Sequence, residues 1–150
     1  MQNCAQLISY LKEIGETIAV AETFTTGTVT HELTLHIEQN TDIFVGSIIC
    51  GAEHVVTDLL EIKPEIAAKI STGSSDLSDQ LALHLPRLMK AGVYLAVSGK
   101  QTESNCHCFV TLLSHGVLKR KELIVELPKG NLCHEIFGFV EESLRYNKAG

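Results

Sequence analysis

The segment Ala19–Gly27, AVAETFTTG, decides how this chain is read, because an apolar run stops there in a carboxylate and gives way to threonines and a glycine. Before it, Thr17–Ala21 has strand character. After it, Val29, Leu33 and Ile37 recur at helical spacing. Threonyl oxygens suit the cap of a new helix, so the segment reads as a strand-to-helix turn. Such a turn lifts side chains and free backbone N–H groups above a sheet, where a nucleophile or an anion site is commonly built.

Outward from the turn, Cys4, Leu7, Ile8, Leu11 and Ile14 repeat at helical spacing before Gly15, a suitable residue just past a helix end, and predict an opening amphipathic helix. A helix is expected near Thr26–Ile37, then the polar break Glu38-Gln39-Asn40, then a buried strand in Ile43–Cys50. Short helices follow near Glu53–Leu60 and from Pro64 toward Gly73. Ser74, Ser75 and Asp76 cap a longer helix marked by Leu77, Leu81, Leu85 and Leu88, with Pro86 kinking its last turn. Val93–Ser98 reads as a third strand followed by a loop. Cys106–Leu113 and Glu122–Leu127 flank His115-Gly116 as a hairpin-like pair, and Leu132, Ile136, Phe139, Val140 and Leu144 give a final helix.

Helices alternating with short apolar strands predict one α/β domain over residues 1–150, a three-layer α/β/α sandwich with a mixed sheet. Ligands in such sheets sit at the carboxyl ends of strands, which directs attention to Glu22–Gly27, Cys50–His54 and Ser98–Asn105.

With 150 residues and 45% hydrophobic content the chain can bury one core. No apolar run approaches the roughly 20 residues of a membrane span, and Met1-Gln2-Asn3-Cys4-Ala5 shows no basic segment leading into an apolar one. The expectation is a soluble, unprocessed, cytoplasmic protein. A formal charge of −6 with scattered Lys and Arg gives no footprint for nucleic acid. Cys4, Cys50, Cys106, Cys108 and Cys133 are odd in number and make a poor disulfide framework, so reduced thiols are expected. Cys106-His107-Cys108 has the look of a metal motif. In a strand, however, its sulfurs share one face and the imidazole takes the other, and no second ligand pair accompanies them, so neither a metal nor a cofactor is expected.

The AETFTTG turn resembles the Glu-Ser-Cys-Thr-Gly-Gly motif of the CinA C-terminal domain family, the nicotinamide-nucleotide amidohydrolases of the competence/damage-inducible group, with Thr23 where that family has its nucleophilic serine. The resemblance runs on through FVGSIICG, DLLEI, LAVSG and the late strand pair. The family's second strand resembles Phe-Leu-Gly-Gly-Val-Val-Ala-Tyr-Ser-Asn-Glu-Ala-Lys, whose tyrosine and lysine assist the serine. Laid without gaps on Phe44–Val56, it puts Gly51 at the tyrosine and Val56 at the lysine. The family's third strand ends Val-Thr-Gly before a Gly- and Pro-rich loop lining the nucleotide site. Here Val97-Ser98-Gly99 is followed by KQTESN, which keeps a hydroxyl at Ser98 and loses the glycines. Near the family's Gly-Asp-Arg stands Gly130-Asn131-Leu132, without the arginine.

Amide hydrolysis by an alcohol needs a base, donors for the oxyanion and an acid for the leaving amine. A positioned proton-transfer group is worth about 10²- to 10⁴-fold and an oxyanion donor about 10²- to 10³-fold, so losing both assisting groups takes the rate toward background. The resemblance therefore implies a catalytically silent relative. Its cleft at Glu22, Thr25, Thr26, Gly27, Ser98 and Gly99 either binds a nucleotide-like anion weakly or is retained in a domain that acts through self-association, as a homodimer, or through a protein partner. The alternative is an active amidohydrolase in which Thr23 attacks the carboxamide of nicotinamide mononucleotide and Lys100 or a water replaces the base.

Each candidate also has an ordinary structural reading. Thr23 serves as a helix cap, Glu22 as a solvated acid near a helix N-terminus, and Lys100 as a solvated loop lysine. Cys50 and His54, four residues apart, form a thiolate–imidazole pair only if a helix begins before Cys50. His31, His36, His84 and His134 lack metal spacing, and Lys119-Arg120-Lys121 reads as a solvated turn or a contact for an acidic partner.

Overall fold

The computed structural model describes residues 2–36, 42–127 and 131–149. Ile37, the Glu38-Gln39-Asn40 break and Gly130 lie outside the described residues. The chain runs α1 (Gln2–Ile14), β1 (Ile18–Glu22), α2 (Thr28–Leu35), β2 (Phe44–Ile49), α3 (Glu53–Leu60), α4 (Pro64–Ala67), α5 (Ser75–His84), β3 (Val93–Gln101), β4 (Asn105–Ser114), β5 (Val117–Glu126) and α6 (Leu132–Ala149). Tight 3-10 turns at Ala68–Ser71 and Leu85–Arg87 extend α4 and α5.

The five strands form one sheet in the order β2-β1-β3-β4-β5. β1 pairs parallel with β2 and with β3, whereas β3-β4-β5 is antiparallel, so the sheet is mixed. Alternation along β1 explains the layers. Ile18 and Val20 point with Val93, Leu95 and Val97 into a core closed by α1, α2 and α6, through residues such as Leu7, Leu11, Val29, Leu33 and Phe137. Ala19 and Ala21 point with Tyr94 and Ala96 to the opposite face, where their small size lets Val56, Leu60, Leu77 and Leu81 of α3 and α5 pack close. The fold is the expected three-layer α/β/α sandwich.

Four local expectations change. The strand expected to be buried over Ile43–Cys50 is β2, Phe44–Ile49, an edge strand with only one neighbour, whose Val45 and Ile49 are exposed. α2 starts at Thr28, later than expected, because Thr26 (φ +51°) and Gly27 (φ +100°) are left-handed and cannot begin a right-handed helix. β3 runs three residues past Ser98, so Lys100 lies in a strand and not in a loop: Gly99, Lys100 and Gln101 pair with Cys108, His107 and Cys106. Lys119, Arg120 and Lys121 likewise belong to β5 and not to a turn. Lys119 sits over the Tyr146 ring at 4.9 Å, and Arg120 pairs with Asp79 at 2.7 Å. No helix among the described residues is long and apolar enough to cross a membrane.

Candidate functional site

β1 delivers Glu22 to the start of α2. Glu22 has the same parity as Ile18 and Val20, so its side chain turns to the face that α2 covers, and it is fully buried. Oε1 accepts from Thr25 Oγ1 (2.5 Å), the Gly27 N–H (3.0 Å) and the Val29 N–H (3.2 Å). Oε2 accepts from the Thr30 N–H (2.9 Å) and Thr30 Oγ1 (2.5 Å). The orphan donors that a helix N-terminus presents are thus taken by the chain's own carboxylate, which also lies where the helix dipole favours negative charge. Glu22 is neither a solvated acid nor a ligand-facing one: it is an internal cap.

The rest of the turn is similarly committed. The Thr26 N–H donates to Thr23 O at 3.1 Å, and the Thr28 N–H donates to Thr25 O at 3.0 Å. A side chain at Gly27 would be strained at φ +100°, and its Cβ would also meet Ile49 Cδ1 at 3.1 Å. Thr23 gives its N–H to Val97 O at 3.1 Å, which locks the turn to β3. Its side chain is 3% exposed, and Oγ1 has no hydrogen-bond partner. The hydroxyl therefore caps nothing, and no base touches it.

Ser98 is buried and spent on the fold. Its Oγ accepts from the Ser74 N–H (3.2 Å), donates to Ser74 O (3.1 Å), and lies 2.7 Å from Ser78 Oγ, which donates to Phe109 O at 2.7 Å. Ser74 in turn caps α5 through the Leu77 N–H at 3.0 Å. Gly73 presses on the same strand end: a Cβ there would stand 2.2 Å from Gly99 N. On Gly99 itself a Cβ would stand 2.2 Å from His107 O and 2.7 Å from Phe24 Cε1. The carboxyl end of β3, where the sequence places part of a retained cleft, is thus covered by Gly73-Ser74 and by Phe24.

The remaining candidates are not brought together into a site. Lys100 is exposed opposite His107. Cys50 follows β2 and is buried in the core, with its N–H on Glu22 O at 2.8 Å, and burial pushes its thiol up to about 11, away from thiolate formation. His54 is exposed on the first turn of α3, which begins after Cys50, so the helix required for a thiolate–imidazole pair is not there. Gly51 is exposed with nothing within 4 Å of a Cβ, and Val56 is wholly buried in the core. Cys106 and Cys108 point inward, while His107 stacks on Phe109 (4.7 Å) and lies 3.2 Å from Glu122. Among the described residues no group of His, Cys, Asp and Glu could hold a metal ion, and all five cysteines are free and buried.

Sequence reasoning missed the Glu22 latch and the Ser74–Ser78–Ser98 network. The first had a legible signal: a carboxylate closing a strand, with hydroxyl residues at Thr25 and Thr30 on the turn and helix it faces. The second joins residues some 20 positions apart and had none.

Residues 2–106 match the model of the CinA C-terminal domain. A CinA-like protein of Thermotoga neapolitana is 26% identical over 93 residues, 62% of this chain and 22% of that protein. One of Pseudothermotoga lettingae is 28% identical over 93 residues, 62% of this chain and 23% of that protein. The chain thus spans under a quarter of the length of these relatives. Among solved structures, the competence or damage-inducible protein of Enterobacter asburiae superposes with TM-score 0.73 at 17% identity, over 97% of this chain and 95% of that one. A CinA superfamily protein of Klebsiella pneumoniae gives TM-score 0.74 at 15% identity, over 99% and 96%.

Proposed function

The chain belongs to the CinA C-terminal domain family, and on that premise we propose that it is a catalytically silent member whose turn above β1 works as a structural latch, the domain acting by association and not by amide hydrolysis. The observation that carries this reading is the Glu22 carboxylate, which already holds the Gly27, Val29 and Thr30 N–H groups that an anionic ligand would use. Two further features support it. The hydroxyl at the nucleophile position is buried without a base, and the positions resembling the family's tyrosine and lysine are a glycine and a core valine. Valine moves no proton, and a glycine offers no phenol to donate to an oxyanion.

One observation favours the alternative: Thr23 Oγ1 is unspent. In that reading Oγ1 adds to the carboxamide carbon of nicotinamide mononucleotide, its proton passes through a water to the departing ammonia, and a second water hydrolyses the ester.

Ligand-dependent stability tests the proposal, because a ligand that binds only the folded chain raises its melting temperature, by about 2.7 kcal/mol of stability at 100 times Kd. The melting temperature is expected to stay unchanged in millimolar nicotinamide mononucleotide. A dose-dependent rise that Thr23→Ala abolishes would support the alternative.

A further inference from the structure

β5 is one of the two edges of the sheet, with β4 its only neighbour. It is ten residues long and pairs with β4 from Val117 to Glu126 without a shift of register, so its free edge is unbroken. The Leu127 N–H bonds Ser104 O at 2.8 Å, and bonding alternates along an antiparallel ladder. Val117, Lys119, Lys121, Leu123 and Val125 therefore bond β4, whereas Leu118, Arg120, Glu122 and Ile124 turn N–H and C=O outward.

The same strand holds Lys119-Arg120-Lys121, the one run of three cations in a chain of net charge −6. Lys119 sits over the Tyr146 ring, Arg120 meets Asp79 through Nε and keeps its side chain 54% exposed, and Lys121 is exposed. Lysines on an edge strand deter apolar edges from pairing, yet they attract a strand of opposite charge. Repulsion from the net charge is screened beyond about 10 Å at 0.1 M salt, so the nearest charges decide. Further along, Glu122 and Glu126 repel an acidic strand, and Ile124 between them is 68% exposed. The edge thus has a cationic half and a half that favours an apolar neighbour.

We propose that β5 takes up an extended acidic peptide segment as a sixth strand, with its carboxylates beside Lys119, Arg120 and Lys121 and an apolar residue over Ile124. Backbone hydrogen bonds along Leu118–Ile124 give the pairing, and the cation run gives the choice of partner. β2, the other edge, carries no charge with which to select such a segment. A second copy of this chain fits β5 poorly, because the two-fold registration that sets Arg120 opposite Glu122 brings Lys121 against Lys121. The inference rests on the reading that the domain acts by association, and it names the chemistry of the partner.

Two dye-labelled decapeptides of alternating Val and Thr test this, one with Glu-Asp-Glu near its amino end and one with it near its carboxyl end, which covers both strand directions. By fluorescence anisotropy at low salt, at least one should bind the whole chain with a dissociation constant below about 100 micromolar, and Lys119→Glu with Lys121→Glu should raise it at least ~10-fold. Lys63→Glu with Lys90→Glu lowers the net charge equally on exposed residues elsewhere and should change it less than ~2-fold. Should the first pair unfold the chain, Lys121→Glu alone is expected to raise the constant at least ~3-fold. N-methylation of the peptide amides on one alternation should abolish binding, since it removes ladder donors and keeps the charge. Hydrogen exchange at the Arg120, Glu122 and Ile124 amides should slow when peptide is bound. The proposal is overturned if neither peptide binds at millimolar concentration, if both double variants weaken binding alike, or if binding survives N-methylation on either alternation. Protection of those amides in the free chain that dilution removes would put a second copy on the edge, and overturns it too. Ammonia release reads none of these amides, so failure here is distinct from failure of the silent-enzyme reading.

Discussion

Glu22 and Thr30 meet twice: the backbone N–H and the hydroxyl of Thr30 both reach Oε2, at 2.9 and 2.5 Å. This double contact ties the end of β1 to the first turn of α2 and places a negative charge at the positive end of the helix. In the proposed reading, the same carboxylate occupies the donors that an outside anion would use.

Replacing Glu22 with alanine leaves the buried Val29 donor and the half-buried Gly27 and Thr30 donors without an acceptor. Orphaned buried donors cost about 1–3 kcal/mol each, partly relieved by entering water, so a net loss of about 3 kcal/mol is expected, seen as a melting temperature about 10 °C lower. Glu22→Gln should lose a comparable amount, because its amide turns donors toward donors. The emptied helix N-terminus should also respond to phosphate: millimolar phosphate should raise the melting temperature of the alanine variant relative to chloride of equal ionic strength, and leave the wild type unmoved.

Thr23→Val makes the opposite test. The hydroxyl is buried and unpaired, and valine has nearly the same shape, so the substitution should leave stability unchanged or raise it by about 1 kcal/mol, a rise of roughly 3 °C. A loss of stability would mean that Oγ1 has a partner after all.

Ser98→Ala should cost about 1–3 kcal/mol by stripping Ser74 and Ser78 of a partner. Ser78→Ala should cost a similar amount. Because both belong to one network, the double variant should lose clearly less than the sum, read as a coupling of at least about 0.5 kcal/mol in a urea-denaturation cycle.

Architecture was legible wherever local pattern decided it. Cys4 to Ile14 announce α1, the apolar run over Thr17–Ala21 announces β1, and His115-Gly116 announces a hairpin. What failed was tertiary. The polar run after Gly99 reads as a loop, yet backbone pairing with β4 holds Lys100 in a strand whatever its side chain prefers. The neighbourhood of Glu22 offers a ligand-facing carboxylate or a solvated helix-end acid, whereas its burial comes from the packing of α2 against the sheet. The Ser98 network required knowing that Gly73 lies against Gly99, a contact no spacing rule contains.

The thiols give a pH dependence of definite sign. Burial pushes Cys50 up to about 11 and Cys4 and Cys133 up to about 12, whereas an unfolded thiol titrates near 8.5. The folded chain therefore holds protons that the unfolded chain releases. The stabilisation is complete below about pH 8.5 and is lost as pH rises toward 11 and 12, by up to about 1.4 kcal/mol per thiol per pH unit. Melting temperatures should be flat across the thiol range below pH 8.5 and should fall between pH 9 and 10. Native protein at pH 8 should react with a thiol reagent far more slowly than protein in guanidinium, which exposes all five cysteines.

The most direct test of the central claim, that the turn holds a fold together and moves no protons, is ammonia release from nicotinamide mononucleotide by the purified chain. The expected rate is that of buffer, identical for wild type and Thr23→Ala. Sustained release by the wild type that Thr23→Ala abolishes would contradict the account and make Thr23 a nucleophile.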